Sequence, residues 1–82
     1  PEALALFDRS IKLFGTLNMP VEQAWALTQR GRTLVALGRP LGMVTDALQS
    51  AWELFTSQNI SAGQATVLLA RAELALARGN AI

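Results

Sequence analysis

Carboxylates are the main candidates for acid–base chemistry in this chain of 82 residues, because histidine and cysteine are both absent. The six are Glu2, Asp8, Glu22, Asp46, Glu53 and Glu73. Asp46 and Glu53 share one side of a predicted helix, but seven residues place them about 10.5 Å apart, too far for a close acid–nucleophile pair. The missing residue types also exclude disulfides, thiol chemistry and soft-metal sites. The sequence therefore predicts no enzyme, and no catalytic, cofactor-binding or metal-binding residues.

Arginines form the second group with chemical potential. Arg30, Arg32 and Arg39 lie close together, but the neighbouring glycines fall within and at the end of a predicted helix, unlike a phosphate-binding loop. A solvated helix face is favoured, and contact with an acidic partner is the alternative. Arg30 recurs as Arg71, which favours a structural role for both. With a net charge of +1, nucleic acid is not an expected partner.

Aromatic and targeting signals are few. Trp25 and Trp52 are expected to pack between helices, with binding anchors as the alternative. Asn59-Ile60-Ser61 matches a glycosylation acceptor but is interpreted as a turn followed by a helix N-cap. No apolar run approaches the length of a membrane helix, and no signal peptide is visible. These features predict no membrane association and a cytoplasmic location.

An internal repeat gives the clearest information about architecture. Residues 13–39 placed over residues 54–80, a shift of 41, give nine identities in 27 pairs without a gap. Chance in a chain so rich in leucine and alanine would give roughly two or three. A fixed period of this size is typical of stacked helical or β units.

Periodicity within the repeat predicts helices near 2–16, 20–37, 42–57 and 62–78, and no strands. Pro20 is expected in a first helical turn, Gly38 and Gly79 as C-terminal caps, and Ser61 with Gln64 as a capping box. The expected core faces are Ala24, Leu27, Gly31 and Leu34 in the second helix, Val44, Ala47, Leu48, Ala51, Leu54 and Phe55 in the third, and Ala65, Leu68, Ala72 and Ala75 in the fourth. Short connections make neighbouring helices antiparallel, and repetition stacks the hairpins.

The pattern Ala24-x-x-Leu27-x-x-x-Gly31-x-x-Leu34-x-x-Leu37-Gly38 resembles the first helix of a tetratricopeptide repeat. The resemblance implies a small residue where paired helices cross, at Gly31 and Ala72, with Ala47 and Ala51 as the matching small residues. The period is 41 rather than the usual 34, arginine stands at a position where leucine is common, and the closing proline is missing. In these respects the chain is similar to the longer, divergent arrays of bacterial signalling ATPases and large LuxR-type regulators.

The resemblance implies an all-α fold of antiparallel helix hairpins stacked as a tetratricopeptide-like αα-repeat. Residues 1–82 are expected to be a single repeat module, a piece of a longer array, that binds a protein or peptide as a scaffold in signalling or transcription regulation. The alternatives are a homo-oligomeric helical bundle and an effector-sensing segment that uses Thr28, Gln29 and Arg32. The predicted contact residues are Trp25, Thr28, Arg32, Val35, Thr66, Leu69, Glu73 and Leu76.

Apolar residues beyond the predicted core faces mark both end helices. Helix four carries Val67, Leu69, Leu74 and Leu76, and helix one carries Leu6 and Leu13. Terminal units of a stacked array need a polar outer face to stay in solution alone. We therefore expect either further repeats or self-association through the end helices.

Overall fold

The chain folds into helices connected by short turns. The computed structural model describes residues 2–79, which form α1 (Glu2–Thr16), α2 (Pro20–Ala36), α3 (Leu41–Ser57) and α4 (Ser61–Ala77), with no strand in that range. The all-α prediction is confirmed, and every predicted helix boundary agrees to within one residue. No helix within this range is long and apolar enough to cross a membrane.

Both α-hairpins turn in the same way. Asn18 and Asn59, 41 residues apart, follow α1 and α3 with φ of 54° and 57°. Met19 N–H donates to the Phe14 carbonyl, and Ile60 N–H donates to the Phe55 carbonyl in the equivalent bond. A left-handed residue closes these turns because it satisfies the last carbonyls of the helix, and asparagine tolerates that conformation better than most residues.

The ends of α2 and α4 also repeat. Gly38 and Gly79 adopt φ of 66° and 73°, as expected for glycines that close a helix. Pro20 begins α2, as predicted. The capping box was wrong, because Ile60 is the N-cap of α4 and no side chain caps it. Ser61 is instead the first helical residue, and the Gln64 side chain donates to Thr56 Oγ1 at 2.9 Å.

Helix α2 is the centre of the packing. It contacts α1, α3 and α4, and α3 also packs against α4, whereas within residues 2–79 helix α1 packs against α2 alone. A closed four-helix bundle would bring its first and last helices together. The Cα atoms span 39 × 30 × 16 Å, so the long dimension exceeds the roughly 25 Å length of a 17-residue helix. The helices therefore stack in an open layer, an arrangement consistent with a repeat.

Most of the core lies where α2, α3 and α4 meet, and Leu4 joins it from α1. Its apolar members are Leu4, Ala24, Leu34, Val44, Leu48, Ala51, Phe55, Val67 and Ala70. Gly31 is buried at the crossing of α2 and α3, where a Cβ would lie 2.7 Å from Leu48 Cδ2. The predicted role of Gly31 as the small residue of a helix crossing is confirmed.

A second close approach, which the sequence analysis missed, joins α3 to α4. The Phe55 ring lies directly over the backbone of Gly63, so a Cβ at Gly63 would overlap the ring. Phe55 is completely buried. The signal was hidden because the repeat equivalent of Gly63 is Glu22, which gives no hint of a close packing contact.

The predicted core face of α4 was wrong. Ala65, Leu68 and Ala72 are exposed, and Ala75 is half-buried. The buried residues of α4 are instead Gly63, Val67 and Ala70. The prediction transferred the face of α2 to α4. That face of α2 packs against α3, the helix that follows, whereas within residues 2–79 no helix follows α4. The α3 stripe is confirmed, with Leu54 half-buried and the other five residues buried. In α2 Leu27 is half-buried, and the other three predicted residues are buried.

Candidate interaction surfaces

In each hairpin, one arginine of the second helix bonds to a side chain of the first helix. Arg30 Nε donates to Asp8 Oδ1 at 2.7 Å, and Arg71 Nη2 donates to Gln49 Oε1 at 3.0 Å. Both bonds span 22 residues, so they are the same contact in successive repeats. Arg71 also lies over the Trp52 ring, 5.4 Å from its centroid, as a cation–π contact. The predicted structural role of Arg30 and Arg71 is supported, with side-chain acceptors rather than backbone carbonyls.

Arg32 and Glu73 connect α2 directly to α4. Arg32 Nε lies 2.9 Å from Glu73 Oε1, and Arg32 Nη2 donates to Glu73 Oε2 at 3.0 Å. The two residues occupy the same repeat position, 41 residues apart. Their side chains keep 35% and 41% exposure, so the pair is screened by solvent. A two-bond pairing of this kind orients the helices more than it stabilises them.

The predicted contact residues divide into four groups. Thr28 has no exposed surface and donates to the Ala24 carbonyl at 2.9 Å, so it cannot touch a partner in this conformation. Trp25, Val35 and Thr66 are half-buried, and Trp25 meets the Phe55 ring edge to face at 4.8 Å. Arg32 and Glu73 form the partly exposed pair described above. Leu69 and Leu76 are open to solvent, with 54% and 64% exposure.

The polar side chains that an effector site would need do not converge. Thr28 is buried, Gln29 is exposed on α2, and Arg32 is paired with Glu73. A cavity of about 410 Å³ between α3 and α4 is lined instead by Thr45, Asp46, Leu48, Gln49, Arg71 and Leu74. Arg71 is already bonded to Gln49, and the Thr45 hydroxyl donates to the Gly42 carbonyl, which reduces the polar groups that this cavity offers to a small ligand.

An apolar groove lies on the outer side of α1 and α2. It has a volume of about 340 Å³ and is lined by Phe7, Ser10, Phe14, Glu22, Trp25, Ala26 and Gln29. Phe7 and Phe14, seven residues apart on one side of α1, line this groove, which the sequence analysis did not identify. Both are half-buried, because no helix in the described part of the chain covers the groove.

A second open apolar surface lies on the outer side of α4. Leu68, Leu69 and Leu76 are each more than half exposed. Exposed alanines Ala65 and Ala72 lie beside them. Contiguous apolar surface of this kind is typical of a binding site rather than of a free protein surface.

The described residues 2–79 contain no group of three or more His, Cys, Asp or Glu side chains that could hold a metal ion. Comparison with known proteins gives no match, whether to a family model, a curated protein or a solved structure.

Proposed function

We propose that this chain is a protein-interaction or scaffold module of tetratricopeptide-repeat type, with no catalysis of its own. The observation that carries the proposal is the recurrence of one hairpin at 41 residues. Helices α2 and α4 are offset by 41 at both ends, and the left-handed turn residues and the arginine contacts to the preceding helix share that offset. Repeat units of this kind serve as binding surfaces because stacking leaves extended faces open.

The proposed setting is a cytoplasmic bacterial signalling or transcription regulator, in which the module of residues 1–82 is stacked into a longer array. It rests on the resemblance of the helix pattern ending at Gly38 to a tetratricopeptide repeat, and on the 41-residue period. The partner would be a protein or peptide, and neither nucleic acid nor a membrane is proposed.

The surface proposed for a foreign partner lies around Arg32 and Glu73, where α2 and α4 meet. Trp25, Val35 and Thr66 border it with half-buried side chains. Solvent can reach N–H groups of Arg32 and carboxylate lone pairs of Glu73, because both side chains are more than one-third exposed. A peptide carrying both an acidic and a basic residue could exchange bonds with this pair while its apolar residues contact the flanking side chains.

Selection of binding peptides from a random library tests this surface. Reversing the pair with Arg32→Glu and Glu73→Arg keeps the link between α2 and α4 but inverts the charges that a partner meets. We expect the double variant to lose at least about tenfold in affinity for the selected peptides, the scale of one charged contact. Arg39→Glu, an equal charge reversal at an exposed connection residue, is the matched control. Selected peptides that bind the double variant and wild type equally would refute this assignment.

A further inference from the structure

The groove on α1 and α2 occupies the same repeat positions as a surface on α3 and α4, and that second surface is covered. Adding 41 to its seven lining residues gives Leu48, Ala51, Phe55, Gly63, Thr66, Val67 and Ala70. Six of these are buried, and Thr66 is half-buried. Helix α2 packs against both helices that carry this surface, with Gly31 against Leu48 and Trp25 against Phe55, and the Phe55 ring itself covers Gly63. The groove is therefore the surface on which a helix equivalent to α2 would lie.

The helix equivalent to α2 in this chain is α4. The buried face of α2 consists of Ala24, Thr28, Gly31 and Leu34. Its equivalents in α4 are Ala65, Leu69, Ala72 and Ala75, of which three are exposed and one is half-buried. One end of the molecule thus presents the uncovered groove, and the other end presents the helix face that such a groove accepts.

Charges at the two ends also match. Within the chain, Arg32 of α2 pairs with Glu73 of α4 at the same repeat position. If α4 took the place of α2 on the groove of another molecule, its Glu73 would lie opposite Arg32 of that molecule. In this contact the glutamate would lie on the covering helix and the arginine on the covered hairpin, the reverse of the pair within one chain. The contact therefore still brings opposite charges together.

We propose that α4 of one molecule packs into the α1–α2 groove of a second copy, continuing the stack head to tail. The inference rests on the repeat architecture of the proposed function. It identifies a second copy of the chain as the partner of the α1–α2 groove and of the α4 face. The interface joins different surfaces on the two molecules, so association does not stop at a dimer but produces longer chains or a ring.

Light scattering and sedimentation over a range of protein concentrations test the proposal. Wild type forms species whose mass rises with concentration beyond a dimer. Leu69→Glu places a charge on the α4 face and weakens association at least about tenfold. Ala26→Glu places a charge in the groove with the same effect. Leu17→Glu is the matched control, because Leu17 is 56% exposed, close to the 54% of Leu69, and its repeat equivalent Gln58 stays exposed in the covered hairpin.

Mixing the two defective variants separates head-to-tail packing from a symmetric contact. The Ala26→Glu molecule keeps an intact α4 face, and the Leu69→Glu molecule keeps an intact groove. Their mixture forms a one-to-one complex and stops there, because both remaining surfaces carry a negative charge. A symmetric contact between two α4 helices would instead leave Ala26→Glu dimeric and give no complex in the mixture, which overturns the proposal.

Charge reversal gives an independent check. The double variant Arg32→Glu with Glu73→Arg still pairs with itself, but it places like charges opposite wild type. At low ionic strength it self-associates normally and does not mix with wild type. A wild-type chain that stays monomeric, with circular dichroism showing folded helices, overturns the inference without touching the proposed function. Peptide selection on the Ala26→Glu chain then tests that function alone.

Discussion

Gly31→Ala is the substitution for which the structure gives the clearest energetic expectation. In an ordinary helix interior alanine is more stable than glycine by about 0.8–1 kcal/mol. At Gly31, however, the new Cβ would lie 2.7 Å from Leu48 Cδ2 and 3.1 Å from Leu48 Cγ. Optimal carbon–carbon contact is near 3.5–4.0 Å. Leu48 is only 1% exposed, so its side chain cannot move into solvent.

Overpacking of a tight core costs about 1–3 kcal/mol. After the propensity gain is subtracted, we expect Gly31→Ala to destabilise the fold by about 1 kcal/mol. For a domain of this size that lowers the melting temperature by about 4–8 °C. Gly31→Leu adds more atoms at the same crossing and should lower the free energy of unfolding by about 2–3 kcal/mol.

Gly42→Ala is the matched control, because Gly42 lies in α3 with no atom within 4 Å of its added Cβ. Because Gly42 is the second residue of α3, we expect a gain smaller than the about 1 kcal/mol of a helix interior. Thermal and denaturant unfolding should be measured at one protein concentration, since association would shift apparent stability. If Gly31→Ala stabilised the protein as much as Gly42→Ala, the reasoning about the crossing would be refuted.

Two further predictions compare equivalent positions in the two repeats. Phe55→Ala should lower the free energy of unfolding by about 3–5 kcal/mol because Phe55 is fully buried, whereas Phe14→Ala should lower it by less than half as much because Phe14 is half-buried. Equal losses of stability in denaturant unfolding would show that the groove is already covered. Asn18→Ala and Asn59→Ala should each destabilise the fold by about 1–2 kcal/mol because both residues have positive φ. Glycine at either position should leave the stability nearly unchanged. An alanine substitution without effect in the same assay would contradict the left-handed turns.

Local signals were enough to predict most of the fold. Proline at the start of α2 and glycines after α2 and α4 fix helix ends through backbone preferences, so they can be identified without knowing the neighbours. The period of 41 then relates the two hairpins. The capping box failed because Ser61 lies one residue inside the helix, a shift that a short polar motif cannot define.

Burial was harder to predict, because it depends on which neighbours are present. Leu68 was expected in the core but is 52% exposed, and Thr28 was expected on the surface but is completely buried. Equivalent residues in α2 and α4 have the same spacing but different neighbours, so periodicity cannot tell them apart. The pairing of Arg32 with Glu73 also required the structure, because a separation of 41 residues leaves no local signal.

The position of α1 at the edge of the layer has a kinetic consequence. Among the helices of residues 2–79, only α2 packs against α1, and the two are joined by the three-residue turn 17–19. Detaching α1 removes Leu4 from the core but leaves the contacts among α2, α3 and α4 in place, so the amide hydrogens of α1 should exchange through a local opening that requires less free energy than global unfolding. Such an edge can open and reclose quickly, because closing a short loop takes well under a microsecond. In the head-to-tail stack α1 would have a second neighbour, and its exchange would slow as the stack grows.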